Sequence, residues 1–232
     1  MAQWVDHDID FIRRRYNWLA AIYPLFEWLW LPRGIRGAAV ERMDLRPGAR
    51  VLEVGCGTGR NFPAIVEAIG SSGHLYGVDL SDAMLNQAKQ LCARKSWENV
   101  TLLLSDATAY RLPELADAVL FSLCYCTMPH HRQVLLHAWE QLRPGGRLVV
   151  LDSKIPAGIA GRLLRPLMFW TSRATVLGNP DVRPWEELRA VAGPVKFEER
   201  FGGTYFICRG IKREAPASPT GFGLSAEGLR GL

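Results

Sequence analysis

No apolar run in this sequence is long enough to cross a bilayer. A spanning helix needs about 20 apolar residues, and the nearest candidate, YNWLAAIYPLFEWLWLP from Tyr16 to Pro32, is interrupted by Asn17, Pro24 and Glu27. No internal repeat is present. Cysteine is scarce: there are five, an odd count without framework spacing. With no secretory signal ahead of them, reduced thiols in a cytoplasm are expected. Cys124, Cys126, His130 and His131 lie close together, but C-x-C on a strand is not a zinc spacing, so no metal is expected. The chain is not short of apolar residues. Of its 232 residues 48% are hydrophobic and 22% charged, which excludes disorder as the main state. A net charge of +5 and a pI of about 9.1 mildly favour acidic partners.

What is present is an alternation of strand-like and helix-like segments. ARVLEVG, HLYGVDL, VTLLLSDA, ADAVLFSLCYC and GRLVVLDS read as buried strands. NFPAIVEAI, SDAMLNQAKQLCARK (with Ser81 as N-cap) and HRQVLLHAWEQLR, stopped by PGG, read as helices between them. Such alternation predicts an α/β fold, a doubly wound parallel sheet covered by helices on both faces. VKFEERFGGTYFICRGIK predicts an antiparallel hairpin around Gly202 and Gly203 at the sheet edge. The expected organisation is an N-terminal helical cap over 1–45, the α/β domain over 46–212 with an insertion at 155–195, and a flexible tail over 213–232.

Ligands of such sheets bind beyond the carboxyl ends of the strands, where the strand order reverses. The first strand ends LEVGCGTGR. Gly55, Gly57 and Gly59 permit a tight turn and close approach of backbone to a ligand. A dinucleotide fingerprint would need a third glycine at position 60, which is Arg60. Glu53 is a poor neighbour for a pyrophosphate and a good one for a ligand carrying an ammonium and a sulfonium. LEVGCGTGR, GVDLS and SDAT, in this order between Leu45 and Ser153, resemble the three cofactor motifs of class I methyltransferases that use S-adenosylmethionine. That resemblance implies a Rossmann-like methyltransferase sheet and S-adenosyl-L-methionine as cofactor. It places Glu53 at the methionine end, Gly55, Gly57 and Gly59 in the backbone cradle, and Asp79 on the ribose hydroxyls. It further places Asp106 and Ala107 at the adenine edge, Leu80 and Met84 flanking the adenine, and Ser122 near the amino acid end. YNWLAAIYP is similar to the aromatic cap of methyltransferases acting on quinones and on phosphatidylethanolamine, with Tyr16 and Tyr23 facing the cofactor. Asn17 and Pro24 stand where that cap commonly has aspartates.

Methyl transfer from a sulfonium is an in-line displacement that needs positioning and exclusion of water more than a dedicated catalytic group. A base is required only if the acceptor arrives protonated. Tyr125, His130 and His131 follow the fourth strand and Lys154 the fifth. Either histidine suits a base near neutral pH or a helix cap; Lys154 suits an anionic group of the substrate or a solvated surface. In the insertion, Arg162, Arg165 and Arg173 share one side of a helical wheel, beside Ile159, Leu163, Leu167 and Trp170. That pattern fits either an anionic membrane surface or a helix packed on the domain with a solvated basic face. The expected activity is methyl transfer to a lipophilic or amphiphilic acceptor, a phospholipid amine or a quinone ring, at the cytoplasmic face. The alternatives are a small soluble amine, thiol or metalloid as acceptor, and a cofactor-binding protein without catalysis. Nucleic acid is not an expected partner: no separate basic module is present, and SLCYCTM replaces the N-P-P-Y-type end of base-modifying enzymes.

Overall fold

The computed structural model describes residues 8–20, 31–159, 161, 165–166, 178–179 and 181–214. Tyr23, the Trp28–Trp30 cluster, Arg162, Arg173 with most of the insertion helix, and nearly all of the tail lie outside them.

Five parallel strands form the centre: β1 (Arg50–Val54), β2 (His74–Asp79), β3 (Val100–Leu104), β4 (Ala116–Ser122) and β5 (Leu142–Ser153). The hairpin β6 (Lys196–Arg200) and β7 (Tyr205–Ile211) completes a seven-stranded sheet of order β3-β2-β1-β4-β5-β7-β6, with β7 antiparallel to both neighbours. Order reverses between β1 and β4, and a ligand cleft is expected above that point.

Successive strand residues face opposite sides. Leu52, Val54, Val119, Phe121, Leu148 and Val150 build one core layer, and Val51, Leu75, Ala118, Leu120, Val149 and Leu151 the other. α2 (Ile35–Arg42), α3 (Phe62–Ile69) and α4 (Asp82–Lys95) cover the second layer through Ile35, Phe62, Ile65, Leu85 and Ala88. α5 (His131–Glu140) and α6 (Pro184–Ala192) cover the first through Val134, Leu135 and Leu188. Each fully buried large aliphatic or aromatic side chain contributes roughly 1.5–3 kcal/mol, so these two apolar layers hold the parallel strands together. α1 (Ile9–Leu19) lies apart from both layers, against α4. Among the described residues no helix is long and apolar enough to cross a membrane.

Three details differ from the sequence reading. The fourth strand stops at Ser122 rather than running to Cys126: Leu123 turns at φ +60, and a 3-10 turn, Tyr125–Thr127, follows. A leucine in the left-handed region is uncommon, and such strain concentrates at functional sites. α5 ends at Glu140, and PGG belongs to an irregular start of β5, where Gly145 N–H donates to the Lys212 carbonyl. α6 was not anticipated, although Pro184 at its start, Glu186 and Glu187 in its first turn and Gly193 after its end are the expected punctuation.

Candidate functional site

A cleft of about 110 Å³, open to solvent, lies at the carboxyl ends of β1 to β4. Its floor comes from the loops after the four strands: Gly55, Cys56 and Gly57; Asp79 and Leu80; Asp106 and Ala107; Ser122, Leu123 and Cys124. Its roof is α1, through Ile9, Ile12 and Tyr16.

The glycine loop has a reason at each position. Gly55 sits at φ +69, and an added Cβ would come within 2.8 Å of Cys124 Sγ and 2.9 Å of Met128 Cε. Gly57 sits at φ +55 with nothing within 4 Å of its would-be Cβ, so the loop leaves open space there. Gly59 does not line the cleft. It makes room for the Phe62 ring, 2.8 Å from its would-be Cβ. Gly57 N–H donates to Asp79 Oδ2 at 2.7 Å and Ser81 N–H to Asp79 Oδ1 at 2.9 Å. Desolvation pushes the Asp79 carboxyl above its ordinary pKa, opposed by the backbone N–H groups of Ser81, Gly57 and Leu80. Asp106 Oδ1 accepts from both Thr108 N–H and Thr108 Oγ1, each at 2.7 Å, an Asx turn that fixes the loop after β3.

Near the reversal point the cleft is zwitterionic. Glu53 is only 1% exposed and accepts from Asn61 Nδ2 at 2.5 Å. Arg36, from α2, reaches in to donate to Ser122 Oγ at 2.9 Å and to Asn61 Oδ1 at 3.4 Å. No motif in the sequence points to Arg36 or Asn61.

The roof is pinned near its C-terminal end by two adjacent residues. Tyr16 Oη donates to Thr127 Oγ1 at 3.5 Å, and Thr127 in turn donates to the Cys124 carbonyl at 2.6 Å. Asn17 Nδ2 donates to Asp82 Oδ1 at 2.7 Å, while Asn17 Oδ1 accepts from Ser81 Oγ at 2.5 Å. An aspartate at 17 has no N–H to offer and would confront Asp82; asparagine at this position serves both neighbours. Ser81 Oγ also accepts from Met84 N–H at 3.1 Å, the N-cap expected for α4.

Tyr125, His130, His131 and Lys154, the candidates after β4 and β5, do not line the cleft. Tyr125 is fully buried and donates to Glu187 Oε2 at 2.7 Å; His131 Nδ1 is 2.9 Å from the same oxygen. Burial pushes the Glu187 carboxyl up, but these two bonds and the charges of His131 and Arg132 more than offset it, leaving its pKa below the ordinary value. This knot ties the 3-10 turn, α5 and α6 together. His130 is exposed at the N-cap position of α5, at φ +54, and makes no side-chain cap bond. Lys154 pairs with Glu199 at 2.7 Å. Cys56 and Cys124 line the cleft, yet burial foremost pushes both thiols far up, with neighbouring carboxylates adding to it. A thiol shifted this way is disfavoured as a thiolate nucleophile. Among the described residues no group of three or more His, Cys, Asp or Glu is arranged for a metal ion.

Residues 51–146 match the family model of a methyltransferase domain. The chain is 31% identical over 130 residues to the demethylmenaquinone methyltransferase of Anoxybacillus flavithermus, a match covering 56% of this chain and 55% of that protein. It is 34% identical over 109 residues to the protein-L-isoaspartate O-methyltransferase of Methanothrix thermoacetophila, covering 47% and 49%. The chain thus spans about half the length of the curated relatives it matches. In structure it is similar to phosphoethanolamine N-methyltransferase 2 of Haemonchus contortus in complex with S-adenosyl-L-methionine, at TM-score 0.71 and 15% identity, over 90% of this chain and 60% of that one. The matched segment holds the glycine loop, Asp79, Asp106 and the end of β4, and the sheet around it has the doubly wound order; over residues 51–146 the chain is similar to the methyltransferase domain of the class I S-adenosylmethionine-dependent enzymes.

Proposed function

We propose that this chain transfers a methyl group from S-adenosylmethionine to a lipophilic or amphiphilic acceptor, of the quinone or phospholipid-amine kind. Bound in the cleft, the cofactor supplies an electrophilic methyl on sulfur, displaced in line by the acceptor. The cleft residues suit that group. Gly57 leaves open space beside the backbone, and Asp79 offers two carboxylate oxygens at the end of β2. Asp106 fixes the loop after β3, and Glu53 meets positive charge near β1. Leu80 and Met84 give an apolar flank for a flat base. Tyr16 in the roof suits a cation–π contact with the sulfonium.

The acceptor class rests on one observation. The roof, the loop after β4 and the start of α5 present Ile9, Ile12, Tyr16, Thr127, Met128, Pro129 and Val134 to the cleft, a set without a charged side chain. An apolar acceptor is desolvated there at no electrostatic cost. The curated relatives favour the quinone side, but their different names attach to one cofactor-binding segment, so the apolar lining carries more weight. Trp18 at 71% and Ile159 at 78% exposure, with Arg13, Arg14 and Arg15 on the same helix as Trp18, favour an anionic membrane surface as the acceptor's source.

The test is incubation with labelled S-adenosylmethionine and cell extract, split into lipid and aqueous fractions. Label is expected in the lipid fraction; label confined to the aqueous fraction would overturn the acceptor class in favour of a small amine, thiol or metalloid. No transfer at all, with cofactor still bound, would favour a non-catalytic binding protein.

A further inference from the structure

We propose that the opposite end of the sheet carries a second ligand site, an anion pocket at the amino ends of β1, β4 and β5 that takes a phosphate group. It is independent of the cofactor cleft, which lies beyond the carboxyl ends of the strands.

A cavity of about 370 Å³ opens there to solvent, within the range of about 300–1,000 Å³ usual for small-molecule sites. Its walls are the segment from Met43 to Ala49 that joins α2 to β1, the start of β4 at Asp117 and Ala118, and the start of β5. Three guanidiniums line it from separate places: Arg46 in the segment before β1, Arg143 in the turn that opens β5, and Arg147 further along β5. Two of them are aimed by carboxylates. Arg147 Nη2 donates to Asp44 Oδ2 at 2.6 Å. Arg143 Nε donates to Asp117 Oδ1 at 2.5 Å, and Asp117 Oδ2 accepts the Arg50 N–H at 2.7 Å. A carboxylate at one edge fixes the direction of a guanidinium and leaves its remaining N–H groups for a ligand. Arg46 is exposed, and among the described residues its side chain has no ion pair or hydrogen bond. Three cations against two carboxylates leave the lining net positive.

The frame around these side chains is braced. Gly145 N–H donates to the Lys212 carbonyl at 2.7 Å, and Lys212 N–H to the Gly146 carbonyl at 2.9 Å, which fixes the turn bearing Arg143. Gly48 N–H donates to the Ile69 carbonyl at 2.8 Å, and Ala49 N–H to the Arg46 carbonyl at 3.0 Å. Little backbone has to be ordered when a ligand arrives. A tetrahedral phosphate presents oxygens in several directions and suits guanidiniums that come from three segments; a planar carboxylate is satisfied by one fork. Among the described residues the lining has no aromatic side chain, so it offers no stacking platform for a nucleic-acid base.

The plain alternative is that the two Arg–Asp pairs only tie the segment before β1 and the start of β4 to β5. Exposed pairs contribute little to stability, and that reading gives Arg46 no role and the cavity no ligand. The full chain is titrated by calorimetry with pyrophosphate and with citrate. Co-sedimentation with phosphatidylcholine vesicles, with and without phosphatidic acid, separates a lipid headgroup from a soluble phosphate. Native protein is expected to bind pyrophosphate more tightly than citrate, and more weakly as salt rises. Arg46→Ala, which breaks no hydrogen bond or ion pair, is expected to weaken binding about tenfold with Tm unchanged. Lys89→Ala, which removes an exposed cation on α4, is expected to leave it as it was. Saturating S-adenosylhomocysteine is expected not to displace pyrophosphate. Pyrophosphate binding without vesicle binding supports the site with a soluble ligand; sedimentation that needs phosphatidic acid and is lost in Arg46→Ala supports it with a headgroup. Native protein that binds neither pyrophosphate nor acidic vesicles overturns the proposal. So do citrate bound as tightly as pyrophosphate, undiminished binding in Arg46→Ala, and displacement by S-adenosylhomocysteine.

Discussion

Asn17 donates its side-chain amide to Asp82 Oδ1 across 2.7 Å, joining the roof helix to the first turn of the helix after β2. The same amide group accepts from Ser81, the residue that follows the loop in which Asp79 receives Gly57 and Ser81 N–H. Roof and floor of the cleft are thus joined through one asparagine. Replacement by aspartate removes the donor and sets two carboxylates against each other, at about 1 kcal/mol for a partly exposed pair. Asn17→Asp is expected to weaken S-adenosylhomocysteine binding about fivefold and to speed hydrogen exchange in Ile9–Leu19, with the sheet amides unchanged. Undisturbed exchange in that helix would show that the roof is held elsewhere.

Acid should loosen α2. The Glu198 carboxyl is held down to about 2 from 4.5, chiefly by its hydrogen bonds from Arg42, with Arg200 adding to them. A folded pKa below the unfolded one gives stability that is present above pH 4.5 and lost as pH falls toward about 2. Both partners are about one-third exposed, with side-chain accessibilities of 31% and 33%, so the contribution is discounted to about 1 kcal/mol. Urea midpoints of native protein are expected to drop between pH 5 and pH 3 more steeply than those of Glu198→Gln. Parallel pH dependence in the two proteins would mean that the Arg42 pair does not anchor the helix that carries Arg36.

Buried thiols in the cleft make a separate expectation. Cys56, Cys124, Cys126 and Cys208 are buried, with pKa values pushed up by burial. Cys92, on α4, is half-buried. Iodoacetamide at pH 7.5 is expected to label Cys92 first and the other four only after unfolding, read by peptide mass. Early labelling of Cys56 or Cys124 in the folded protein would reveal a thiolate and require a different chemistry for the cleft.

The parts of the site that were legible in the sequence are those encoded locally. Glycines at 55 and 57, an acid closing the second strand and a Ser-Asp after the third follow from strand-end chemistry and sit within a few residues of it, whereas Gly59, expected in the cradle, makes room for Phe62 instead. The N-cap at Ser81 is local in the same sense. Arg36, Asn61 and the Tyr125–Glu187–His131 knot were not legible, because each depends on which helix lands on which strand end. Asn17 looked like a departure from the cap pattern; Asp82, far away in sequence, explains it. Leu123 had no signal, since the left-handed turn goes against leucine's own preference and is imposed by the loop between β4 and the 3-10 turn. The helix at Pro184–Ala192 carries its own punctuation in Pro184, Glu186, Glu187 and Gly193.

The central claim is that the cleft above the β1–β4 reversal is the cofactor site, with Asp79 holding the ribose. Calorimetric titration of native protein and Asp79→Ala with S-adenosylhomocysteine tests it most directly. Two charge-assisted hydrogen bonds at about 1.5–3 kcal/mol each make a loss of a hundredfold or more the expected result. Unchanged affinity in a folded Asp79→Ala would contradict the account.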